Sequence, residues 1–177
     1  NAQIHAILEE YNLPYYFSKN IEKEASKISK EIVKEKNRKD LRDTLTFTID
    51  PADAKDFDDA LSFKKLKNNN FEIGIHIADV THYVKEKTLL DKEAKSRATS
   101  VYLSDRVVPM LPETLSNDLC SLNPNEDKNV FSVLVEIDSK SNIIKTEFTK
   151  SLIKSNERMS YEEAQFVLKN NKQTLPP

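Results

Sequence analysis

The sequence predicts an α+β fold in which short helices flank a largely antiparallel sheet. Three observations carry this. Apolar and β-branched runs of strand length recur at LTFTI (45–49), ALSFKK (60–65), FEIGIHIA (71–78) and VFSVLVEID (130–138). Polar turn strings, NNN (68–70) and SKSN (139–142), join such runs into two hairpins. Helical stretches with recognisable start signals lie before, between and after them. Neighbours joined by tight turns pair antiparallel, and helices outside the hairpins complete an α+β layout.

Taken in order, residues 1–12 read as a helix that Pro14 ends. A second helix runs from Asn20 to about Asn37, with Asn20 as N-cap. Lys23 stands where a capping box needs Glu or Gln. Glu22 and Glu24 still place negative charge near the positive end of the helix. Ile21, Ala25, Ile28 and Ile32 form its narrow apolar stripe. The string KEKNRKDLR (34–42) is a basic entry: it either touches a phosphate backbone or simply complements a helix end. Strands at 45–49 and 60–65 enclose an acidic connection, and 71–78 returns as the hairpin partner. Thr88 caps a helix from Leu89 to Arg97, and Pro112 opens a short helix near 113–119. Strands at 130–138 and 143–155 flank the second turn. Ser160 and Glu163 make a capping box for a last helix reaching about Leu168.

The acidic connection carries the chemistry. Asp50, Asp53, Asp56, Asp58 and Asp59 fall within ten residues, 50–59. Carboxylates this close resist ionising together. A cation can neutralise such a cluster, and a solvated acidic turn can also carry it. Buried strands on both sides favour a cation, and hard oxygen donors suit Mg²⁺ or Mn²⁺. A calcium loop of the EF-hand type is excluded: counted from Asp56, the fifth and sixth positions are Ala60 and Leu61. Asp53, close behind Pro51, is expected to fix the turn through its own side chain.

Composition narrows the function classes. The single glycine, Gly74, excludes a P-loop and a dinucleotide fingerprint. Any phosphate bound here is gripped by metal, cations, hydroxyls or helix ends. The single cysteine, Cys120, excludes an internal disulfide and fits a reducing compartment, so a cytoplasmic location is expected, with no membrane partner. The N-terminus lacks the basic start, apolar middle and small-residue site of a signal peptide. A net charge of −2 does not advertise nucleic acid, but a strand drawn into a channel needs only local positive charge.

Four strings in order, TID…DFDDA, HIADV, RATSVYL and MLPETLSNDLCSL, resemble the catalytic RNB domain of the ribonuclease II and ribonuclease R family, with the ribonuclease R branch the nearer. The resemblance implies a metal-dependent exoribonuclease. Such an enzyme degrades single-stranded RNA processively from the 3′ end to nucleoside 5′-monophosphates. It implies Mg²⁺ or Mn²⁺ as cofactor and places the catalytic acids on Asp50, Asp56, Asp58 and Asp59. Asp50 and Asp59 are the expected direct ligands; Asp56 and Asp58 complete the site, orient water or hold a second ion. Tyr102 matches the family tyrosine that holds the terminal nucleotide. Arg97 is either a phosphate contact or an ordinary helix-end arginine, and Ser100, like Thr99, is a weaker RNA contact. The resemblance also implies flanking cold-shock and S1-type RNA-binding domains in a full-length chain. Residues 1–40 then read as a helical linker and 41–177 as the N-terminal part of the catalytic domain. The competing reading is a fragment that binds RNA or merely folds, without catalysis.

The remaining titratable residues read as structural. His76 and Asp79 point to opposite faces of a strand and are not co-ligands. His76 packs or hydrogen-bonds, while Asp79 lines the site or caps the following loop. His82 has no zinc spacing. Cys120 is a small core residue rather than a nucleophile, and Asn117 and Ser121 fix loops.

Overall fold

A computed structural model describes residues 2–28, 37–104 and 106–170. In chain order, α1 spans Ala2–Glu10 and α2 Lys19–Ala25. Strands β1 (Lys39–Asp40), β2 (Leu45–Asp50), β3 (Asp59–Lys65) and β4 (Phe71–Ala78) follow. Then come α3 (Val80–Tyr83), α4 (Leu89–Arg97), β5 (Val101–Tyr102), β6 (Val107–Val108) and a widened helical turn at Thr114–Leu119. Strands β7 (Asp127–Ile137), β8 (Ile143–Lys154) and β9 (Glu157–Ser160) lead into α5 (Tyr161–Asn170).

The local signals explain most of these elements. Thr88 Oγ1 accepts from the Asp91 backbone N–H at 3.2 Å, starting α4 at the residue expected. Ser160 Oγ accepts from Glu163 N while Glu163 Oε2 accepts from Ser160 N at 2.6 Å, which is the full reciprocal cap of α5. Three expectations need correction. The N-cap of α2 is Ser18, not Asn20: Ser18 is extended, and its hydroxyl accepts from Ile21 N. A cap must itself lie outside helical geometry, and Asn20 lies inside the first turn. The helix after Pro112 is a π-helical turn over Thr114–Leu119 rather than an α-helix, and Leu115 N and Ser116 N donate to the Pro112 carbonyl at its start. Ile21 and Ala25 are buried as expected. The second helix is also shorter than expected: it stops at Ala25, with Ser26 as its C-cap and residues 26–28 in a turn and bend. Ile32 and the rest of the expected helix at 29–36, with residues 34–36 of the basic entry, lie outside the described residues.

Described residues fall into two compact units: Asn1–Lys30 with Val80–Leu119, and Glu31–Asp79 with Cys120–Pro177. In the first, Glu24 of α2 accepts from Leu90 N at the start of α4, with Leu8 and Leu90 buried. The second is a seven-stranded sheet in the order β1-β8-β7-β4-β3-β2-β9, together with α5. Hairpins β3–β4 and β7–β8 are antiparallel, as are β2–β3 and β4–β7. At the edges, β1 pairs parallel with β8 and β9 parallel with β2. Both two- and four-residue edge strands escape sequence reading, because each is too short to show a period.

The sheet has one face of small and polar side chains, with Thr46, Thr48, Ser62, His76, Ser132 and Ser151 all buried. The other face leaves Leu45, Phe63, Ile75, Ile77, Phe131 and Phe148 exposed. His76 lies in the buried face as a structural residue, its ring nitrogens 2.7 Å from Ser132 Oγ and 2.9 Å from Ser62 Oγ. Gly74 makes that possible. A Cβ there would stand 2.2 Å from Ser62 Oγ and 2.6 Å from His76 Nε2, so the lone glycine is the space the Ser–His–Ser bridge occupies.

Candidate metal centre

Asp50 is the last residue of β2 and Asp59 the first of β3, so the two rigid strands hold the ends of the acidic connection. The connection is anchored through its backbone. Phe57 N donates to Ser121 Oγ at 3.0 Å, and that hydroxyl donates to Lys55 O at 3.2 Å. Leu122 N donates to Phe57 O at 2.8 Å and Ala78 N to Asp58 O at 3.0 Å. The Phe57 ring is buried between two acids in sequence, Asp56 and Asp58. At the other end Ala54 N donates to Pro51 O, and Arg158 Nη2 donates to Pro51 O at 2.9 Å and Ala52 O at 2.7 Å. The ring is driven inward while the acids on either side stay at or near the surface. Asp53, Asp58 and Asp59 are exposed; Asp50 and Asp56 are half-buried.

Electrostatics follow from this placement. Burial pushes the Asp50 carboxyl above its ordinary range; Thr48 opposes the shift, Asp59 adds to it, Arg158 opposes it and Asp56 adds to it. Asp50 Oδ2 is fully buried and has no hydrogen-bond partner, and Thr48 Oγ1 nearby lacks one of good geometry as well. Thr48 thus favours the anion by proximity without satisfying it. Asp58 is also raised, first by desolvation and then by the charges of Asp56, Asp59 and Asp50. Its side chain keeps open surface, yet the protein beneath it removes enough water to disfavour the anion. Four carboxylates therefore share one field.

They do not form a closed cage. Among the described residues no three His, Cys, Asp or Glu side chains are gathered closely enough to surround one ion. The fit to a hard divalent cation rests on the donor set and on the buried, unpartnered Asp50 oxygen. Such an orphan is costly unless something binds it.

The structure redistributes several other expected roles. Ser121 does fix a loop, and it is the acidic one. Asp79 forms a buried ion pair with Arg38 at 2.7 Å and a second with Lys150 at 3.3 Å. The described cations of the basic entry are paired within the protein: Arg38 holds Asp79, Lys39 pairs with Glu147, and Arg42 pairs with Asp40 and Asp127. These cations tie β1 to the sheet. Cys120 is buried, and burial pushes its thiol up to about 12 with Asp58 adding, so it is no nucleophile. Asp53 shows no bond that fixes the turn; Arg158 does that.

In the first unit, Tyr102 lies on β5 with 63% of its surface exposed. Arg97 directs its guanidinium inward. It donates to Glu93 and to the carbonyls of Pro14, Pro109 and Tyr16, and it stacks 3.7 Å from the centre of the Phe17 ring. Ser100 Oγ accepts from Met110 N at 2.9 Å. Arg97 braces the segment with its guanidinium, while the Ser100 hydroxyl accepts within it and keeps its own proton to donate. His82 packs edge-on against Tyr83.

Arg158 was not visible as a site residue in the sequence. It lies about a hundred residues from the acids along the chain, and only the β9–β2 pairing brings it there. Its one local signal, a position just before the Ser160 capping box, says nothing of the acids.

A family model described as the RNB domain matches residues 38–177. The chain is 46% identical over 177 residues to the protein named ribonuclease R of Mycoplasmopsis pulmonis (strain UAB CTIP), covering 99% of this chain and 24% of that protein. It is 44% identical over 171 residues to ribonuclease R 1 of Lactococcus lactis subsp. lactis (strain IL1403), covering 96% of this chain and 21% of that one. The solved structure of Mycoplasma genitalium RNase R in complex with ribose methylated single-stranded RNA matches with a TM-score of 0.87 at 34% identity, over 97% of this chain and 27% of that chain. The chain spans a quarter or less of the length of both curated relatives. Among the described residues no helix is long and apolar enough to cross a membrane. With the family match covering most of its length and the acids anchored between two of its strands, the chain belongs to the RNB domain family.

Proposed function

We propose that this chain is part of a 3′-to-5′ exoribonuclease that hydrolyses single-stranded RNA processively to nucleoside 5′-monophosphates. Asp50, Asp56, Asp58 and Asp59 hold Mg²⁺ or Mn²⁺. Family membership and the ribonuclease R relatives support the reaction class, and the unpartnered Asp50 oxygen among three further acids is the observation that carries the metal assignment. Bound divalent ions lower the pKa of a bound water and offset charge on the phosphate. The chain's own part is to hold oxygen donors against their repulsion. Asp50 and Asp59, fixed at two strand ends, are the direct ligands. Asp56 and Asp58, set on either side of the buried Phe57, complete the set or orient water.

Tyr102 supplies an exposed ring for a base, and stacking of this kind tolerates any sequence at about 1–3 kcal/mol per base. Arg97 braces the surroundings of that ring, and the Ser100 hydroxyl, which keeps a proton to donate, contacts the RNA backbone. Cold-shock and S1-type domains in the longer protein would deliver the RNA, and the buried reduced Cys120 agrees with a cytoplasmic location.

The test uses the full-length enzyme with Mg²⁺ and end-labelled single-stranded RNA. Wild type releases nucleoside monophosphates; Asp58→Asn binds the RNA but releases none. Release by Asp58→Asn at the wild-type rate overturns the assignment.

A further inference from the structure

We propose that Arg158 is a positioning residue for the metal centre, a clamp that sets the spacing of the four aspartates without binding metal or substrate itself. This rests on the metal-centre reading above. Three independent observations carry it.

The first is placement. In the parallel β2–β9 pair, Arg158 lies opposite Thr48 and Ser160 opposite Asp50, so Arg158 rises beside the strand that carries the first acid. The second is reach. One guanidinium nitrogen donates to two successive carbonyls, Pro51 and Ala52, while the guanidinium carbon stands 5.0 Å from the centre of the Phe57 ring. A single side chain therefore touches both ends of the connection, just after Asp50 and just between Asp56 and Asp58. The third is what Arg158 leaves alone. It forms no ion pair with the described acids, and its positive charge acts on Asp50 only through space. It offsets repulsion while leaving the buried Asp50 oxygen without a partner and available to a cation. Had it paired with Asp50, as Arg38 does with Asp79, it would compete with metal.

Arginine suits this task in a way lysine does not. One nitrogen of the planar guanidinium reaches both carbonyls while the plane still lies against the Phe57 ring, whereas a lysine ammonium has no plane to lay on that ring. Groups that orient metal ligands, rather than ligate, typically contribute about 10–100-fold in metal affinity.

The test compares full-length wild type, Arg158→Gln, Arg158→Lys and Asp59→Asn. Mn²⁺ binding is measured by calorimetry without RNA, and the Mg²⁺ concentration for half-maximal RNA hydrolysis is measured separately. Arg158→Gln is expected to weaken Mn²⁺ binding about 10–100-fold and to raise the half-saturating Mg²⁺ by a similar factor. Excess Mg²⁺ should restore most of its turnover, a split that a general folding defect does not give. Arg158→Lys keeps the charge and the fold and is expected to remain at least several-fold weakened. Wild-type Mn²⁺ affinity in Arg158→Lys, or in a folded Arg158→Gln, overturns the proposal. Asp59→Asn separates the two levels: if it too binds Mn²⁺ as wild type does, the metal centre itself is wrong. If Asp59→Asn loses the metal while both Arg158 variants keep it, only the clamp is.

Discussion

Asp79 and Asp50 are the same residue at comparable places, each at the C-terminal end of a strand in one sheet, and the fold treats them in opposite ways. The Asp79 side chain is 4% exposed and its Oδ2 meets Arg38 at 2.7 Å and Lys150 at 3.3 Å. Asp50 is half-buried, its Oδ2 has no partner, and its neighbours Asp59 and Asp56 repel it. The fold evidently can deliver an arginine to a buried carboxylate. At Asp50 the arginine that arrives, Arg158, bonds backbone carbonyls instead. The difference separates a carboxylate that holds strands together from one whose inner oxygen is left without a partner, which is what the proposed metal site asks of it.

The paired side breaks hardest. Arg38→Met removes the buried arginine partner of Asp79, and removing one partner of a buried pair costs about 3–5 kcal/mol. Chemical denaturation should show that loss with an unchanged m-value; a loss below about 1 kcal/mol would mean that Asp79 is rehydrated and the contrast is smaller than drawn.

A third buried group sharpens the comparison, because it is satisfied by staying neutral. Burial lowers the His76 pKa from 6.5 to about 4. Between those values the unfolded chain takes up a proton that the folded chain refuses, so stability falls as pH drops from about 6.5 to about 4. The full effect is on the order of 3 kcal/mol. Thermal melts across that window should show the slope in wild type and lose most of it in His76→Gln, whose amide can still meet Ser62 or Ser132.

The unpaired side gives the smallest change in stability, and of the opposite sign. The raised pKa of Asp50 means that ionising it costs more in the folded chain than in the unfolded one, so the metal-free protein loses stability as pH rises past the ordinary carboxylate range. Asp50→Asn removes that cost. In chelator at neutral pH it should melt no lower than wild type, with a gain below about 0.5 kcal/mol. Adding Mg²⁺ should then stabilise wild type and leave the variant unmoved. A variant that is clearly destabilised in chelator would show that Asp50 already has a partner.

Much of this was legible along the chain, and the reason is locality. Thr88 and the Ser160–Glu163 pair announce their helices because a cap and its target lie three residues apart. Hairpins β3–β4 and β7–β8 declare themselves through polar turns between apolar runs. At Asp138 the side chain accepts from Lys140 N and Asn142 N, a turn bond that spans at most four residues. The acidic cluster is legible for the same reason: its repulsion is a fact of spacing. Ser18 was missed because Asn20 is an equally good capping residue two positions on, and only the backbone geometry chooses between them.

The chain itself determined that five aspartates would crowd a short connection between two strands, and that a single glycine would rule out a glycine-rich loop for gripping a phosphate. Tertiary structure decided which charges are spent and which are held open. Arg38 and Arg158 are both arginines near acids, and nothing in their flanking residues tells that one neutralises Asp79 and the other grips the carbonyls beside Asp50. That choice is made by parallel edge strands whose partners lie about a hundred residues away, where pairing depends on the packing of the whole sheet and leaves no period in the sequence.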